Sequence, residues 1–395
     1  MNNPVRIMVS AGEVSGDMHA AALVSELRAL CPAPIEVYGI GGNLLRQSGA
    51  ELVAHTEQTA VMGFWEVVKH LRFLTGLLRH MTGLLESRRP DLLLTVDYVD
   101  FNMRLAAQAR KRGIPTVHYV CPQVWAWRRL RIPKIAKALD RLLVLFPFET
   151  NVFDGTGLDV VFVGHPLVDR ALETRAEPPP TLPWNAEDGK HSPLKKVALF
   201  PGSRASEVQR HLPIILKAAR LAESKLGACA FLIPAPSDRI ASQIRKALEC
   251  ISEKPGNLVV TVGQSRHALL QADAAIIKSG TSALEAALML CPSVIVYRVS
   301  PVTAAIVRRL IRVPFAGLPN LIAGKEVFKE LIQENLTPEA LSEELVRLLT
   351  DSAARETMIE ELKAINASLG EAGTAKRAAK AVMEMLNYET HENGF

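Results

Sequence analysis

Short apolar runs alternate with amphipathic helical patterns along almost the whole chain, and this alternation limits the possible folds more than any other feature. The runs have the length of buried strands, and the segments between them place apolar residues at helical spacing. Such an alternation gives parallel sheets with right-handed crossovers. The predicted strands are Val5–Ser10, Ile35–Tyr38, Leu92–Val96, Thr116–Val120, Arg141–Phe146 and Val160–Val163 in the first half, and Val197–Phe200, Phe231–Pro234, Leu258–Val262, Ala274–Lys278 and Val294–Tyr297 in the second.

A proline-rich stretch, Ala176–Trp184, interrupts this alternation near the middle of the chain. Its prolines exclude a helix or a central strand, and 395 residues are enough for two hydrophobic cores. We therefore predict an α/β protein with two Rossmann-like, doubly wound domains, parallel sheets and a cleft between the domains. The predicted boundaries are 1–170 for the N-terminal domain, 171–193 for the linker, 194–372 for the C-terminal domain and 373–395 for a final helix and tail.

Composition and charge exclude several classes of protein. The net charge is only +5 and no nucleic-acid-binding motif is present, so no nucleic-acid partner is predicted. No apolar run reaches the roughly 18–20 residues of a membrane span, and Met1–Ser10 has the pattern of a strand and not of a signal peptide. The expected location is therefore the cytoplasm. The five cysteines are far apart and lack metal-ligand spacing, which favours reduced thiols and no metal site.

The loop after the first strand, Ala11–Asp17, is the first candidate for ligand binding. Its glycines allow the backbone to approach a ligand closely. Ser15 and Asp17 could cap the helix that follows. A tight turn without a ligand is the alternative, and the loop lacks the full dinucleotide fingerprint, so NAD is not predicted.

Asp97 follows the strand Leu92–Val96 and is the candidate catalytic residue. Ligands of parallel sheets bind beyond the carboxyl ends of the strands, and a carboxylate there could act as a general base on an acceptor hydroxyl. Asp100 is better placed as the N-cap of the next helix. A structural role for both carboxylates is the alternative.

Two loops in the second half have the pattern of anion sites, because each places small residues at the start of a helix. Arg204 adds a planar fork suited to phosphate oxygens, and Glu285 is placed to accept hydrogen bonds from ribose hydroxyls. Ordinary helix starts are the alternative, but two such loops together fit a nucleoside diphosphate. No DxD motif is present, so a diphosphate would be stabilised without a metal. The predicted donor-site residues of these loops are Gly202, Ser203, Arg204, Ser279, Gly280, Thr281 and Glu285.

Residues 61–81 form an amphipathic helical pattern with aromatic residues outside its apolar face. Trp65 and Phe73 lie on sides that a core helix would make polar. Basic charges and extra aromatics favour an interfacial helix, whereas a core helix lying on a sheet is the alternative. The predicted membrane contacts are Phe64, Trp65, Val68, Leu71, Phe73 and Leu74.

Two further basic clusters could share this surface. Trp125–Lys134 combines two tryptophans with arginines, as is typical of the headgroup region of a bilayer. Arg308, Arg309 and Arg312 form the other cluster. Each cluster alone could be an ordinary solvent-exposed surface.

The ordered motifs of the chain resemble the lipid-A-disaccharide synthases, over about Val5 to Leu386. The motifs are individually weak and specific only as a set. They are Ala11–Asp17, Asp97–Asn102, His118–Trp127, Gly164–Pro166, Pro201–Arg204, Ser279–Glu285 and Leu318–Asn320.

The resemblance implies a GT-B fold and an inverting, metal-independent transfer with no cofactor. UDP-2,3-diacylglucosamine would donate its sugar to 2,3-diacylglucosamine 1-phosphate (lipid X), giving a β-1,6-linked disaccharide 1-phosphate and UDP. The resemblance also implies peripheral attachment to the inner face of the bacterial inner membrane, and a homodimer is compatible with it. By motif, Asp97 would be the base, Arg204 would contact the diphosphate, Glu285 the ribose and Asn320 the donor, while Gly12, Glu13, Ser15 and Asp17 would lie on the acceptor side.

Three alternatives stay open from the sequence. A UDP-sugar 2-epimerase would share the fold and the donor site but would need no acceptor site. Another GT-B glycosyltransferase, such as one with a polyprenyl-linked acceptor, would differ in its N-terminal loops. A non-catalytic nucleotide- or lipid-binding module would keep the anion loops but would gain nothing from Asp97.

Overall fold

The computed structural model describes residues 4–59, 64–184, 194–310 and 313–388, with only the backbone described at 59, 64–71, 306, 308 and 310. The chain forms two compact units. The N-terminal unit comprises Met1–Pro166 and Glu371–Phe395, and the C-terminal unit comprises Leu167–Gly370.

The N-terminal unit is built on a parallel sheet of seven strands within the described ranges. Leu92–Val96 is completely buried and lies at the centre of the sheet, as expected for a strand covered on both faces. The strands are β1 (Val5–Ala11), β2 (Ile35–Gly41), β3 (Glu51–His55), β4 (Leu92–Val96), β5 (Thr116–Tyr119), β6 (Arg141–Val144) and β7 (Asp159–Phe162). They pair in the order β3-β2-β1-β4-β5-β6-β7.

Helices connect these strands on both faces of the sheet, as a doubly wound fold requires. Short 3₁₀ helices at Arg129–Arg131 and Pro147–Phe153 complete the connections. The helices are α1 (Val14–Leu30), α2 (Asn43–Gln47), α3 (Thr56–Thr59), α4 (Phe64–Ser87), α5 (Val99–Arg110), α6 (Val124–Trp127) and α7 (Ile132–Ala138). The next helix, α8 (Pro166–Ala176), begins at the last residue of this unit and belongs to the C-terminal unit from Leu167 onward.

The C-terminal unit repeats this plan with six parallel strands in the part of the chain that is described. Its strands are β8 (Lys195–Phe200), β9 (Cys229–Ala235), β10 (Leu258–Val262), β11 (Ala274–Lys278), β12 (Ser293–Tyr297) and β13 (Lys329–Ile332), in the order β10-β9-β8-β11-β12-β13. Its helices are α9 (Ala205–Leu226), α10 (Asp238–Cys250), α11 (Ser265–Gln271), α12 (Thr281–Leu288), α13 (Pro301–Leu310), α14 (Leu318–Ala323), α15 (Pro338–Thr350) and α16 (Ser352–Ser368), and a 3₁₀ helix spans Gln333–Asn335.

Each sheet has one topological switch point, where the direction of winding reverses. In the N-terminal sheet the switch lies between β1 and β4, and in the C-terminal sheet it lies between β8 and β11. Ligands of doubly wound sheets bind at the carboxyl ends of the strands that flank such a point. The four loops selected from the sequence follow these four strands.

The last helix, α17 (Thr374–Met385), packs on the N-terminal unit although it follows the C-terminal unit in sequence. Arg377 Nε donates to the carbonyl oxygen of Val163 at 2.8 Å, and Arg141 Nη1 donates to that of Ala381 at 2.5 Å. The predicted final helix is therefore an integral part of the first unit.

The proline-rich segment packs against the C-terminal unit. Leu182 and Trp184 are buried, and Trp184 Nε1 donates to Gln271 Oε1 at 3.0 Å. Residues up to 184 of the predicted linker are thus anchored, and residues 185–193 lie outside the described ranges.

Candidate active site

The loops at the switch point of the N-terminal sheet line a cavity of about 720 Å³, called here the Asp97 cavity. Its size suits a small-molecule ligand, for which sites of about 300–1,000 Å³ are typical. Apolar side chains from α4 and α5, including Leu74, Leu78 and Val99, form part of its wall. Its charged residues are Glu13, Asp97, Asp100, Arg104, Arg128 and Arg131.

Asp97 lies at the carboxyl end of β4 and is partly buried. Asp97 and Tyr98 both adopt left-handed backbone conformations, with φ of 48° and 47°. Such conformations are unfavourable for residues other than glycine and are concentrated at functional sites. Burial raises the pKa of the Asp97 carboxyl, while a hydrogen bond from the Tyr98 backbone partly opposes the rise. A carboxylate with a raised pKa is a stronger base than an exposed one.

Asn102, which is completely buried, holds the Asp97 loop against β1. Its Nδ2 donates to the carbonyl oxygens of Asp97 at 2.7 Å, Ser10 at 3.1 Å and Val96 at 3.2 Å. Its Oδ1 accepts a hydrogen bond from Ser10 Oγ at 2.6 Å. These bonds offset the cost of the left-handed conformation and hold the Asp97 backbone in place.

Gly12 is buried under the Tyr98 ring. A Cβ at Gly12 would lie 2.3 Å from Tyr98 Cδ1, so a side chain there would displace the ring. The neighbouring Glu13 lines the cavity, and its pKa is raised by burial and then by the negative charge of Asp97. Gly12 and Glu13 thus lie beside Asp97.

The other two acceptor-side predictions occupy different positions. Ser15 is exposed in the first turn of α1. Asp17 is buried, and its carboxylate accepts hydrogen bonds from the backbone amides of Gly42, Leu44 and Leu45 at the start of α2. The prediction that Ser15 and Asp17 cap α1 is wrong, because Glu13 is the N-cap residue and makes no side-chain cap.

Asp100 is not the N-cap predicted for α5. The helix begins at Val99 after Tyr98, so Asp100 lies in the first turn. Its carboxylate pairs instead with Arg131 and lies 4.0 Å from Arg128 Nη1. The prediction failed because α5 begins two residues earlier than an N-cap at Asp100 would require.

The Trp125–Lys134 cluster divides into a buried part and an exposed part. Trp125 is buried and donates from Nε1 to Glu149 Oε1 at 3.1 Å. Trp127 is 43% exposed, and the guanidinium of Arg128 lies 3.9 Å from its ring centroid. Leu130 is 98% exposed. Of the predicted Trp125–Lys134 cluster, Trp125 therefore belongs to the core, whereas Trp127 and Leu130 are exposed.

Helix α4 has a core-facing side and an exposed side. Leu77, Met81 and Leu85 are buried at helical spacing. Phe73 is 40% exposed, and Leu74 lines the Asp97 cavity. The side chains of the other predicted membrane contacts, at 64, 65, 68 and 71, lie outside the described residues, as do those of 308 and 312 in the third basic cluster.

The switch point of the C-terminal sheet lines a second cavity of about 380 Å³, called here the Lys278 cavity. One wall is apolar and contains Ile233, Pro234 and Ile244. The predicted donor-site residues in its lining are Gly202, Ser203, Arg204, Gly280, Thr281 and Glu285.

Two of the backbone amides at the start of α9 already have a partner within the chain. The Glu207 Oε2 atom accepts hydrogen bonds from the backbone amides of Ser203 at 3.0 Å and Arg204 at 3.3 Å. Burial would raise the pKa of Glu207, but the hydrogen bond from Lys278 and those from the two amides lower it overall. Glu207 therefore takes two of the amides that were predicted to bind a phosphate, while Gly202, Ser203 and Arg204 still line the cavity.

The start of α12 fits an anion better. Its N-cap, Gly280, provides no side-chain cap, and no acidic residue lies in the first turn. Lys278 ends β11 beside it, with its Nζ 3.0 Å from Glu207 Oε1. The Arg204 side chain is 82% exposed and lies 3.8 Å from the same carboxylate. The helix terminus and the two cations give this cavity an anion-binding character.

Glu285 and Ser279, two further predicted donor-site residues, differ in their surroundings. Glu285 is largely buried in the wall of the Lys278 cavity, and burial raises its pKa against the opposing charges of Arg266 and Arg170. Ser279 Oγ donates to the Ala316 carbonyl oxygen at 2.8 Å.

Asn320 is completely buried and fully hydrogen-bonded within the chain. Its Oδ1 accepts from the amides of Val327 and Phe328, and its Nδ2 donates to Phe328 O and Glu330 Oε1. These four bonds use the hydrogen-bonding capacity of the amide. Asn320 therefore shapes the loop before β13, and its side chain has no bond left for a donor.

Five charged residues that line the two cavities were not predicted as ligand-binding residues: Lys278, Glu207, Arg104, Arg128 and Arg131. Lys278 could have been found by the criterion used for Asp97, since it also ends a strand at a switch point. The arginines come from a helix and from the connection between α6 and α7, and only the fold brings them together.

Two features are absent from the part of the chain that the structure describes. No three His, Cys, Asp or Glu side chains there lie close enough together to hold a metal ion. No helix within those ranges is both long and apolar enough to cross a bilayer.

Solved structures share this fold. A UDP-GlcNAc 2-epimerase from Neisseria meningitidis matches with a TM-score of 0.61 and 13% identity, over 97% of this chain and 100% of that chain. The glycotransferase of kitacinnamycin matches with a TM-score of 0.59 and 19% identity, over 98% and 100%. Identities this low establish the fold alone. Two Rossmann-like units with parallel sheets place the chain in the GT-B class, as predicted.

The sequence identifies the family within that class. The lipid-A-disaccharide synthetase family model matches residues 7–384. The lipid-A-disaccharide synthase of Anaeromyxobacter dehalogenans (strain 2CP-C) is 40% identical over 386 residues, which cover 96% of this chain and 97% of that protein. The chain belongs to this family and is a glycosyltransferase that forms the lipid A disaccharide. The epimerase and the other transferases considered above are not favoured.

Proposed function

We propose that the protein transfers the sugar of UDP-2,3-diacylglucosamine to 2,3-diacylglucosamine 1-phosphate (lipid X), giving the β-1,6-linked disaccharide 1-phosphate and UDP. The observation that carries this proposal is the position of Asp97 in a cavity with both charged and apolar walls. An acylated sugar phosphate likewise combines charged and apolar groups. The N-terminal unit would bind the acceptor and the C-terminal unit the donor.

In the reaction, the 6-hydroxyl oxygen of the acceptor attacks the anomeric carbon of the donor from the face opposite UDP. The new carbon–oxygen bond forms as the bond to the UDP oxygen breaks, which inverts the configuration. Asp97 takes the hydroxyl proton, so the acceptor oxygen gains nucleophilicity as it loses its proton. The left-handed conformation and the Asn102 bonds hold the backbone that carries this carboxylate in place.

The leaving diphosphate acquires negative charge as the bond breaks. In the proposed donor site, the start of α12 and the cations Lys278 and Arg204 stabilise that charge. Glu285 accepts hydrogen bonds from the ribose hydroxyls, and the apolar wall containing Ile233 and Pro234 covers the base.

The test of the base is the Asp97→Asn variant, incubated with both substrates and analysed by the mass of the product. Loss of the proton acceptor should lower the turnover number by about 10²- to 10⁴-fold, with the affinity for UDP unchanged. Glu13→Gln is the matched control, since Glu13 is the other carboxylate beside Asp97. Normal turnover of Asp97→Asn combined with loss in Glu13→Gln would move the base to Glu13.

We also propose that the protein attaches peripherally to the cytoplasmic face of the inner membrane. Phe73 and Leu130 are exposed apolar side chains, and the exposed Arg129 next to Leu130 in sequence could contact lipid phosphates. Phe73→Ser with Leu130→Ser should reduce co-flotation with vesicles that contain phosphatidylglycerol. Leu172→Ser, at an exposed leucine of the C-terminal unit outside the predicted membrane surface, is the control. Unaltered flotation of the double variant would remove these residues from the membrane surface.

A further inference from the structure

Three arginines converge on the Asp97 cavity, and the base mechanism uses none of them. Arg104 comes from α5, Arg128 follows α6, and Arg131 ends the 3₁₀ helix that leads into α7. All three are partly or largely exposed to the cavity and its mouth.

Asp100 holds two of these guanidiniums. It pairs with Arg131 and lies 4.0 Å from Arg128. Arg104 lies four residues after Asp100, on the same face of α5. Within the described residues, no carboxylate lies at ion-pair distance from Arg104. Three positive charges therefore face one carboxylate, and the cluster has a net charge suited to an anionic ligand.

The geometry of the side chains favours a phosphate over a simple carboxylate. A guanidinium presents a planar fork of donors that matches phosphate oxygens, and a phosphomonoester offers three oxygens to several forks at once. The apolar wall with Leu74 and Leu78 belongs to the same cavity. A ligand that fills the whole cavity would therefore combine a phosphomonoester with apolar chains.

We propose that Arg104, Arg128 and Arg131 bind the 1-phosphate of the acceptor, and that Asp100 orients the latter two for it. This inference rests on the proposed function. The phosphate and the reacting hydroxyl belong to one sugar, so binding the phosphate also positions the hydroxyl at Asp97. The cluster then selects phosphorylated acceptors. A membrane phospholipid headgroup carries similar phosphate chemistry, and the experiment separates the two sources.

The experiment measures the affinity of the intact protein in detergent micelles for 2,3-diacylglucosamine 1-phosphate and for the same lipid without phosphate. We expect the wild type to prefer the phosphorylated lipid. Arg104→Gln and Arg131→Gln should each reduce that preference about 10- to 100-fold, the loss expected for one charge-assisted hydrogen bond. Arg129→Gln removes the same charge from an exposed neighbour that does not line the cavity, and should keep the preference.

A second measurement determines flotation of the same variants with vesicles of phosphatidylcholine alone or with phosphatidylglycerol. If the arginine variants lose anionic-vesicle binding but keep the preference for the phosphorylated acceptor, the cluster is a headgroup site and the inference is overturned. Equal affinity of the wild type for both acceptors would also overturn it. Failure of the wild type to form disaccharide from either acceptor would instead refute the proposed function.

Discussion

The indole Nε1 of Trp125 donates a hydrogen bond of 3.1 Å to Oε1 of Glu149, and both side chains are buried beneath the segment that borders the Asp97 cavity. The other carboxylate oxygen of Glu149 accepts from the amides of Leu145 and Phe146. Burial raises the pKa of Glu149 to about 7, although these hydrogen bonds favour the charged form. One titratable group thus anchors α6 to the connection after β6.

The raised pKa of Glu149 predicts a pH dependence of stability. Its ordinary pKa is 4.5, so between about pH 4.5 and 7 the folded state binds more protons than the unfolded state, and stability falls as the pH rises. Relative to Glu149→Gln, which cannot titrate, the wild type should lose about 3 kcal/mol of unfolding free energy over this window. Urea unfolding at a series of pH values measures the difference. Glu371→Gln, at an exposed glutamate of the same unit, is the control.

The raised pKa of Asp97 predicts a pH dependence of the reaction. The base must be ionised, so kcat/KM should rise with pH through the pKa of Asp97, which burial places above its ordinary value of 3.8. The acid limb of the profile should therefore lie at a higher pH than an exposed aspartate would give. Glu13→Gln should retain this limb. A profile that stays flat down to pH 4 would contradict a role for Asp97 as the base.

The sequence predicted all the central strands and the edge strands β7 and β10, but it missed the other two edge strands, β3 and β13, for a physical reason. Leu92–Val96 is buried on both faces and is nearly all apolar, which makes it easy to recognise. Glu51–His55 and Lys329–Ile332 lie at the edges of their sheets, carry charged residues and are only partly buried, so their pattern is weak. Neither was predicted.

In the candidate sites, features that depend on neighbouring residues could be predicted from the sequence, whereas contacts between distant residues could not. The sequence placed Asp97 at the end of a strand, because that position depends on local pattern. The two hydrogen bonds between Asn102 and Ser10 join residues that are far apart in sequence. Only the order of the strands in the sheet brings these two residues together. The capture of the α9 amides by Glu207 was local and could have been predicted, since a glutamate at the third helical position is a known capping pattern.

Lys278 should contribute to the affinity for UDP at least as much as Arg204. Lys278 is largely buried beside the start of α12, whereas the Arg204 side chain is 82% exposed and more strongly screened by solvent. We expect Lys278→Met to weaken UDP binding about 10- to 100-fold and Arg204→Ala to weaken it only about 2- to 5-fold. Calorimetric titration with UDP measures both, and Lys246→Met, at an exposed lysine on α10, is the control. UDP affinity unchanged in Lys278→Met would place the diphosphate elsewhere.

Gly12→Ala should disturb Asp97 through Tyr98. The new Cβ would lie 2.3 Å from the Tyr98 ring, so the ring and its left-handed backbone must shift. We expect a loss of about 1–3 kcal/mol in stability and a fall in turnover, measured by thermal unfolding and product formation. Gly76→Ala, where a helical Cβ meets open space, should be neutral or stabilising. Tyr98→Ala in the Gly12→Ala background should recover stability if the clash is the cause.

Asn102→Asp tests whether the hydrogen bonds donated by Asn102, and not merely the volume of its side chain, hold the Asp97 loop in place. The substitution keeps the shape of the side chain but replaces Nδ2, which donates to three carbonyl oxygens, by an oxygen that would face them. Loss of these bonds and burial of a carboxyl should cost about 2–4 kcal/mol. Turnover should fall because the left-handed Asp97 backbone loses its partner, while UDP affinity, which the proposed function assigns to the other unit, should stay normal. Urea unfolding, product formation and UDP titration separate these effects. Wild-type stability with reduced turnover would mean that Asn102 acts on the reaction directly, and wild-type values of both would show that packing alone holds the loop.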